Sequence, residues 1–404
     1  MSGSPSIWIA SHGPLGCNSG LHVRSLALAL AEQGFRIRVL LPERRVEDAA
    51  LEDGLDVAGF DEAVKLVAAD PPDLLHLWTA RERMVAIERR LAHRSPRAIP
   101  HLVHLEDNEE LLLREQMRLS AEAFAAVRRG ERGLEVPEHL THPRHGFALI
   151  ERAAGVTALI EPLVEQLPAA MPRRVFLPGF DPAFAEPDPD AGDAVRSRLG
   201  IPESTLIAVY TGNVHESNVS EVRSLYLAVA LANRMGLPMR LVRTGLDFVP
   251  LAEHGEDLLR AHAHELGFVD RELLPRLVHA ADFLVQPGRA DAWNRFRVPS
   301  KLPDFLVSGR AVVLPRVNLG ERLADVVEAI VLGSAAAEAL LEFFVHWAKR
   351  PEERRRVGER GAAFARRHLS WQTAAVAVGD LCREVLGAGA SWHGAAPEAL
   401  GAAR

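Results

Sequence analysis

Residues 6–42 read SIWIASHGPLGCNSGLHVRSLALALAEQGFRIRVLLP. The apolar run SIWIAS (6–11) meets a glycine-bearing loop that ends at Gly20. Apolar positions then recur at helical spacing until Gly34 stops them, and RIRVLLP (36–42) follows as a second apolar run. A strand, a helix and a strand in that order predict a parallel pair covered on both faces. DLLHLWT (73–79) and PHLVHLE (100–106) extend the pattern as further short strands, and GVTALIE and RRVFLPG resume it later.

Between them, residues 107–145 break the rhythm. NEELLLREQMRLSAEAFAAVRRGER reads as a long polar helical region followed by a loop rich in Pro and His. We expect an insertion at the C-terminal edge of the sheet, where ligand sites of open α/β sheets form. PGFDPAFAEPDPDAGD (178–193) has little periodicity and reads as an interdomain linker. A second series then starts: strand TLIAVYTG, helix NVSEVRSLYLAVALANRMG, strand MRLVRTG, helix EDLLRAHAHEL and strand FLVQPG. A C-terminal helical region breaks near residues 368–370, and the last residues are small and polar with no apolar period.

The bulk numbers agree with two domains, since 404 residues exceed one ordinary core. A net charge of −7 argues against a general nucleic-acid binder, so phosphate contact needs a local basic patch. The two cysteines, Cys17 and Cys382, lie far apart and give no metal-ligand spacing, which predicts a reduced, cytoplasmic protein. The first residues lack the basic and apolar regions of a signal peptide. No apolar run reaches 18 residues, so no transmembrane helix is expected, while peripheral membrane contact through a surface helix stays open.

The chemistry-bearing stretch is RFRVPSKLPDFLVSGRAVVLP (295–315). Ser300 reads as the N-cap of a helix with Pro303 in its first turn, so N–H groups and the positive dipole end face a loop. Lys301 then suits a phosphate, and Asp304, on the same face, suits the two hydroxyls of a ribose. A surface Lys301–Asp304 ion pair is the plain alternative. Arg289, Arg295 and Arg297 add positive charge nearby. YTGNVHESN places Gly212 at a strand end, with Asn213 and His215 best placed to reach a ligand, and Asn218 with Glu221 as a capping box.

In the first half, Gly13, Gly16 and Gly20 do not have the GxGxxG spacing, although Glu43 follows the second strand where a dinucleotide fold has its ribose-binding acid. His104 precedes Glu106, Asp107, Glu109 and Glu110; a metal site, a structural histidine and a polar cleft residue are all compatible with that. HxEDxEE matches no usual metal motif, and the acids suit the first turn of a helix. His22 and His76 read as structural.

Taken in order, these segments resemble a GT-B glycosyltransferase, most nearly the retaining family-four group, over about residues 6–387. They are the Gly-rich loop before LHVRSLALALAEQGFRIRVLLP, DLLHLWT, the strand ending in His104, VFLPGFDPAF, SKLPDFLVSGRAVVLP and the HLSW-containing helix. The resemblance implies two facing Rossmann-like domains with a cleft between them. Residues 1–178 would be the acceptor side, 179–367 the nucleotide-sugar side, 368–387 a helix crossing back, and 388–404 a mobile tail.

It implies a nucleotide-sugar donor and a glycan or small-molecule acceptor, with no cofactor and no metal. Gly212, Asn213, His215, Arg243, Arg289, Arg297, Ser300, Lys301 and Asp304 would bind the donor. Gly13, Gly16, Ser19 and Gly20 would form the acceptor or phosphate loop, and His104 and Lys301 would be catalytic.

The sequence departs from the family at Phe296, where an acid is common eight residues before Asp304, and in lacking the Arg and Lys after the first strand of the second domain. A binding subunit without turnover is therefore the second reading, and a nicotinamide-dependent oxidoreductase a third, disfavoured by the glycine spacing. No DxD-like acid pair stands at a strand end, since Asp188 and Asp190 fall in the linker, so transfer is expected to be metal-independent.

Overall fold

The computed structural model describes residues 4–251 and 257–388; the expected C-terminal tail from residue 389 lies outside the described residues. The chain divides into two compact units. Met1–Leu177 with Trp371–Arg404 form unit 1, and Pro178–Ser370 form unit 2.

Unit 1 is built on β1 (Ser6–Ala10), β2 (Arg36–Leu41), β3 (Asp56–Gly59), β4 (Leu74–Trp78), β5 (His101–Leu105), β6 (Gly155–Ala158) and β7 (Arg173–Val175). They form one seven-stranded sheet in the order β3-β2-β1-β4-β5-β6-β7, parallel throughout. Every residue of β1, β4 and β5 is buried, as apolar strands in a sheet covered on both faces require.

The helix Asn18–Glu32 leaves the loop after β1. The Cys17 side chain caps it by accepting from the Gly20 N–H, and Gly34 at φ 87° follows its end. A Cβ on Gly20 would stand 2.1 Å from the Pro14 carbonyl oxygen, so only glycine lets this helix start so close to its own loop. The helix Trp371–Ala388, late in the chain, packs on Asn18–Glu32 and belongs to this unit.

Residues 107–145 are not one long helix. Glu109–Gln116 is capped by Asn108 and Ala121–Arg129 by Ser120, with Arg118 at φ 50° between them. The two helices enclose a small core of Leu113, Phe124 and Leu140.

Unit 2 carries β8 (Leu206–Thr211), β9 (Met239–Thr244), β10 (Ala263–Glu265), β11 (Phe283–Val285), β12 (Val312–Pro315) and β13 (Ile330–Leu332). The order is β10-β9-β8-β11-β12-β13, again parallel throughout. Phe283 lies against Phe343 and Phe344, ring centroids 5.1 and 5.6 Å away, and Phe283 and Phe344 are fully buried. Each such ring contributes about 1.5–3 kcal/mol by leaving water.

The helix expected over residues 256–266 is only Asp257–Arg260, and the chain then turns into edge strand β10; Glu256 lies outside the described residues. The linker segment is irregular but anchored within unit 2. Asp181 pairs with Arg271 at 2.6 Å, Asp188 with Arg276 at 3.4 Å, and Phe184 is buried. Among the described residues no helix is long and apolar enough to cross a membrane.

Candidate functional site: a cation cluster at the end of β8

In unit 2 the strand order turns at β8, which has β9 on one side and β11 on the other. The connections after β8 and β11 therefore part in opposite directions and open a crevice at the C-terminal strand ends. The loop after β8 carries Gly212 to Ser217, and the loop after β11 carries Arg289 to Lys301.

Lys301 immediately precedes the helix Leu302–Val307 and is its N-cap residue, without a side-chain cap bond. Its Nζ stands over the Tyr210 ring, 4.4 Å from the centroid. A Cβ on Gly212 would come within 2.5 Å of that Nζ, so the glycine gives the ammonium its place against the backbone. Burial, and then the Arg297 charge, push Lys301 down to about 7.

Arg297 donates to Ser217 Oγ at 3.2 Å, and Ser217 Oγ is 2.7 Å from His215 Nδ1. His215 is pushed down to about 4 by burial, Arg297 and Lys301, in that order. Three basic side chains thus stand near one another, and after burial the positive neighbours add to the lowering of Lys301 and His215.

Asn218 holds the β8 loop in shape. Its Oδ1 accepts from the His215 N–H at 2.9 Å, and its Nδ2 donates to the Asn213 carbonyl at 3.0 Å. It therefore makes no side-chain cap bond, and the expected Asn218–Glu221 capping box is absent; Glu221 pairs with Arg289 at 3.0 Å. Asn213 Oδ1 accepts from the Leu246 N–H at 2.8 Å, tying in the loop after β9. Gly245 makes that approach: it has φ 92°, and a Cβ there would lie 2.5 Å from the Gly212 carbonyl carbon.

The other expected donor residues scatter. Ser300 precedes the N-cap Lys301 and is not itself the cap. Asp304 does not pair with Lys301. Its Oδ1 accepts from the Asp181 N–H at 2.7 Å, and burial pushes it up to about 7 against that bond. Arg243 is buried, with Asp247 at 2.5 Å and Glu265 at 3.9 Å meeting its charge, and its Nη2 donates to the Gly245 carbonyl at 3.2 Å, beside the Gly212 loop. Arg289 is 61% exposed and paired with Glu221 and Asp291.

Unit 1 has a polar cluster of its own, at the C-terminal ends of β1, β4 and β5. Ser19 Oγ donates to Glu106 Oε2 at 2.5 Å, and His22 Nδ1 lies 3.2 Å from Glu106 Oε1. Since the Ser19 proton goes to Glu106, His12 Nε2–H donates to Ser19 Oγ at 3.0 Å. Arg81 donates from Nη1 to the unprotonated His12 Nδ1 at 3.4 Å and from Nε to Glu109 Oε1 at 3.1 Å, while Thr141 Oγ1 donates to Glu109 Oε2 at 2.8 Å.

Burial would raise Glu106, but the His22 bond and charge and the Ser19 bond hold it well below the usual carboxylate range. His12 falls to about 4 through burial and Arg81. Gly13 and Gly16 shape the loop here: a Cβ on Gly13 would meet Cys17 Sγ at 2.9 Å, and one on Gly16 would meet Asp48 Oδ1 at 2.5 Å.

His104 lies inside the sheet layer beside this cluster, near enough for its charge to act on Glu106, and its Nε2 has no hydrogen-bond partner among the described residues. It is fully buried, its ring centroid is 3.9 Å from that of Trp78, and Nδ1 is 2.8 Å from Thr157 Oγ1. It stands as a core histidine, as does His76, whose Nε2 shares the same hydroxyl at 2.9 Å. Among the described residues no group of three or more His, Cys, Asp or Glu is arranged to hold a metal ion.

Tyr210, Ser217, Gly245, His12 and Arg81 are site residues that local pattern did not single out. The available signal was position: each sits at or just past the C-terminal end of a strand. Phe248 and Phe268, 65% and 75% exposed, stand on the loops after β9 and β10 of the same sheet edge.

No protein-family model matches the sequence, and no curated protein matches it in sequence. Solved structures do match in shape. HepE from Anabaena, solved with UDP and glucose, superposes with a TM-score of 0.68 at 15% identity, covering 94% of this chain and all (100%) of that one. Sucrose-phosphate synthase from Thermosynechococcus elongatus gives 0.66 at 16% identity, covering 95% and 100%. WaaG, a glycosyltransferase involved in lipopolysaccharide biosynthesis, gives 0.63 at 15% identity, covering 92% and 100%. With its two parallel sheets, each a Rossmann-like α/β unit, the chain has the GT-B glycosyltransferase fold.

Proposed function

We propose that the protein is a glycosyltransferase that moves a sugar from a nucleoside-diphosphate sugar to a glycan or small-molecule acceptor. The observation that carries this reading is the grouping of Lys301 at Gly212 with Arg297 and His215 at Ser217 on the same loop, where burial and then cationic neighbours lower both Lys301 and His215. A diphosphate is the anion whose charge and size suit several basic groups at a switch-point crevice. HepE binds UDP and glucose on a similar fold, which supports a UDP-linked donor.

In the proposed reaction the acceptor hydroxyl oxygen bonds to the anomeric carbon as the bond from the sugar to the diphosphate breaks; negative charge grows on the leaving phosphate oxygen, which takes up the hydroxyl proton. Lys301 and Arg297 stabilise that charge from fixed positions, without a metal ion in this reading. In this reading Asp304, one oxygen of which accepts from the Asp181 N–H, serves the ribose hydroxyls with the other. Retention of configuration and a cytoplasmic, glycan-building setting are part of the proposal through the family resemblance.

Release of UDP from UDP-glucose, with and without added acceptor sugars, tests it. Release that persists in EDTA and is lost in Lys301→Ala is expected; release abolished by EDTA contradicts metal independence. Phe296, half-buried with Arg295 over its ring at 5.6 Å, favours a second reading: a subunit that binds the donor without turnover. UDP binding with no release under any acceptor would establish that reading.

A further inference from the structure

Between β12 and the short helix Leu319–Arg322, the Gly320 N–H closes a turn on the Val317 carbonyl at 3.0 Å. Asn318 occupies the first central position with φ 49° and ψ −109°, the type II′ combination that glycine adopts freely and other residues only under strain. A chain that needed only the turn would be better served by glycine. What asparagine adds is its amide. Nδ2 donates to the Asn294 carbonyl at 2.6 Å and to the Arg297 carbonyl at 2.8 Å, using both of its hydrogens.

Those two carbonyls bracket the 3-10 turn Asn294–Phe296 and end at the residue whose guanidinium reaches Ser217. The same turn is held from its other side by Asp291, which accepts from the Asn294 N–H at 2.7 Å. The Asn318 bonds hold the side of this turn that Asp291 does not reach, on the backbone that launches Arg297 four residues ahead of Lys301. Strain retained for a side-chain bond marks a place where geometry matters.

We propose that Asn318 is a positioning residue for the donor diphosphate: it fixes the Arg297 backbone so that the guanidinium stays in the Lys301–His215 cluster. The inference rests on the reading of that cluster as a diphosphate site. Asn318 acts through Arg297 and does not itself touch the ligand.

Asn318→Gly separates clamp from turn, because it relieves the strain and keeps the turn while deleting the amide. The probe is UDP, titrated calorimetrically, with the thermal midpoint of the ligand-free protein measured alongside. The expected result is an affinity about tenfold weaker with a midpoint equal to or above wild type. Asn318→Asp, which sets a carboxylate against two carbonyls, should weaken UDP further.

Wild-type affinity in Asn318→Gly would overturn the inference while leaving the diphosphate reading intact. An affinity that falls together with the midpoint would assign Asn318 a structural role and also overturn it. If UDP fails to bind the wild type, or binds Lys301→Ala equally well, the diphosphate reading itself is overturned and this inference with it.

Discussion

Both units gather polar side chains at the C-terminal edges of their sheets, yet the two clusters differ in electrical character. Around Glu106 in unit 1 acids and bases answer one another: Glu106 with His22 and Ser19, Arg81 with Glu109, Glu109 with Thr141. Around Gly212 in unit 2 the basic groups meet each other, and burial with like charge lowers both Lys301 and His215. A network that satisfies itself stabilises its unit, whereas a diphosphate at the β8 loop would meet the Lys301 and Arg297 charges. On the proposed reading the first cluster serves folding and the second ligand binding.

The largest way to break that assignment is Glu106→Ala. It strips the acceptor from Ser19 and His22 in a buried place and should cost about 3 kcal/mol of folding stability in denaturant unfolding. UDP affinity should stay within about twofold, allowing for the usual additivity of distant sites. A large loss of UDP binding at full stability would reverse the roles.

Next comes Lys301→Ala, which removes one charge-assisted contact and should weaken UDP by about 2–3 kcal/mol, roughly 30- to 150-fold. Gly245→Ala is the third. Its Cβ has no room at the Gly212 carbonyl and the φ is unsuited to alanine, so a stability loss of about 2 kcal/mol is expected. An unfolding midpoint equal to wild type would show that the two loops are not packed as described.

The last prediction concerns pH. Asp304 has its folded value raised from 3.8 to about 7, so between those values the folded chain keeps a proton that the unfolded chain gives up. Its contribution is fully present below the unfolded value and is lost as pH rises through that window. Asp304→Asn should flatten this slope in unfolding curves taken across the window. Lys301 works in the opposite sense above it. With the folded value lowered from 10.5 to about 7, the unfolded chain holds more protons, and the Lys301 contribution to stability rises with pH.

The apolar strands β1, β2, β4, β5, β8 and β9 were legible in the sequence because burial on both faces leaves continuous Val, Ile and Leu runs. The edge strand β10, Ala-His-Glu, was not, since three residues paired on one side need no apolar run, and a helical period covered them. Lys301 beside a glycine at a strand end was legible from strand-helix order. The roles of Arg243 and Asp304 were not, because both depend on partners far away in sequence or on the opposite wall of a loop: Glu265 and Asp247 for one, Asp181 for the other. The surroundings of His104 were hidden for the same reason, since Trp78 and Thr157 from neighbouring strands make them.

The central claim is that the Gly212 cluster is the diphosphate site, and calorimetric titration of UDP into wild type, Lys301→Ala and Glu106→Ala tests it most directly. The account predicts binding to the wild type, near-wild-type binding to Glu106→Ala wherever it remains folded, and a loss of roughly thirtyfold or more in Lys301→Ala. Equal UDP affinity in wild type and Lys301→Ala would contradict it.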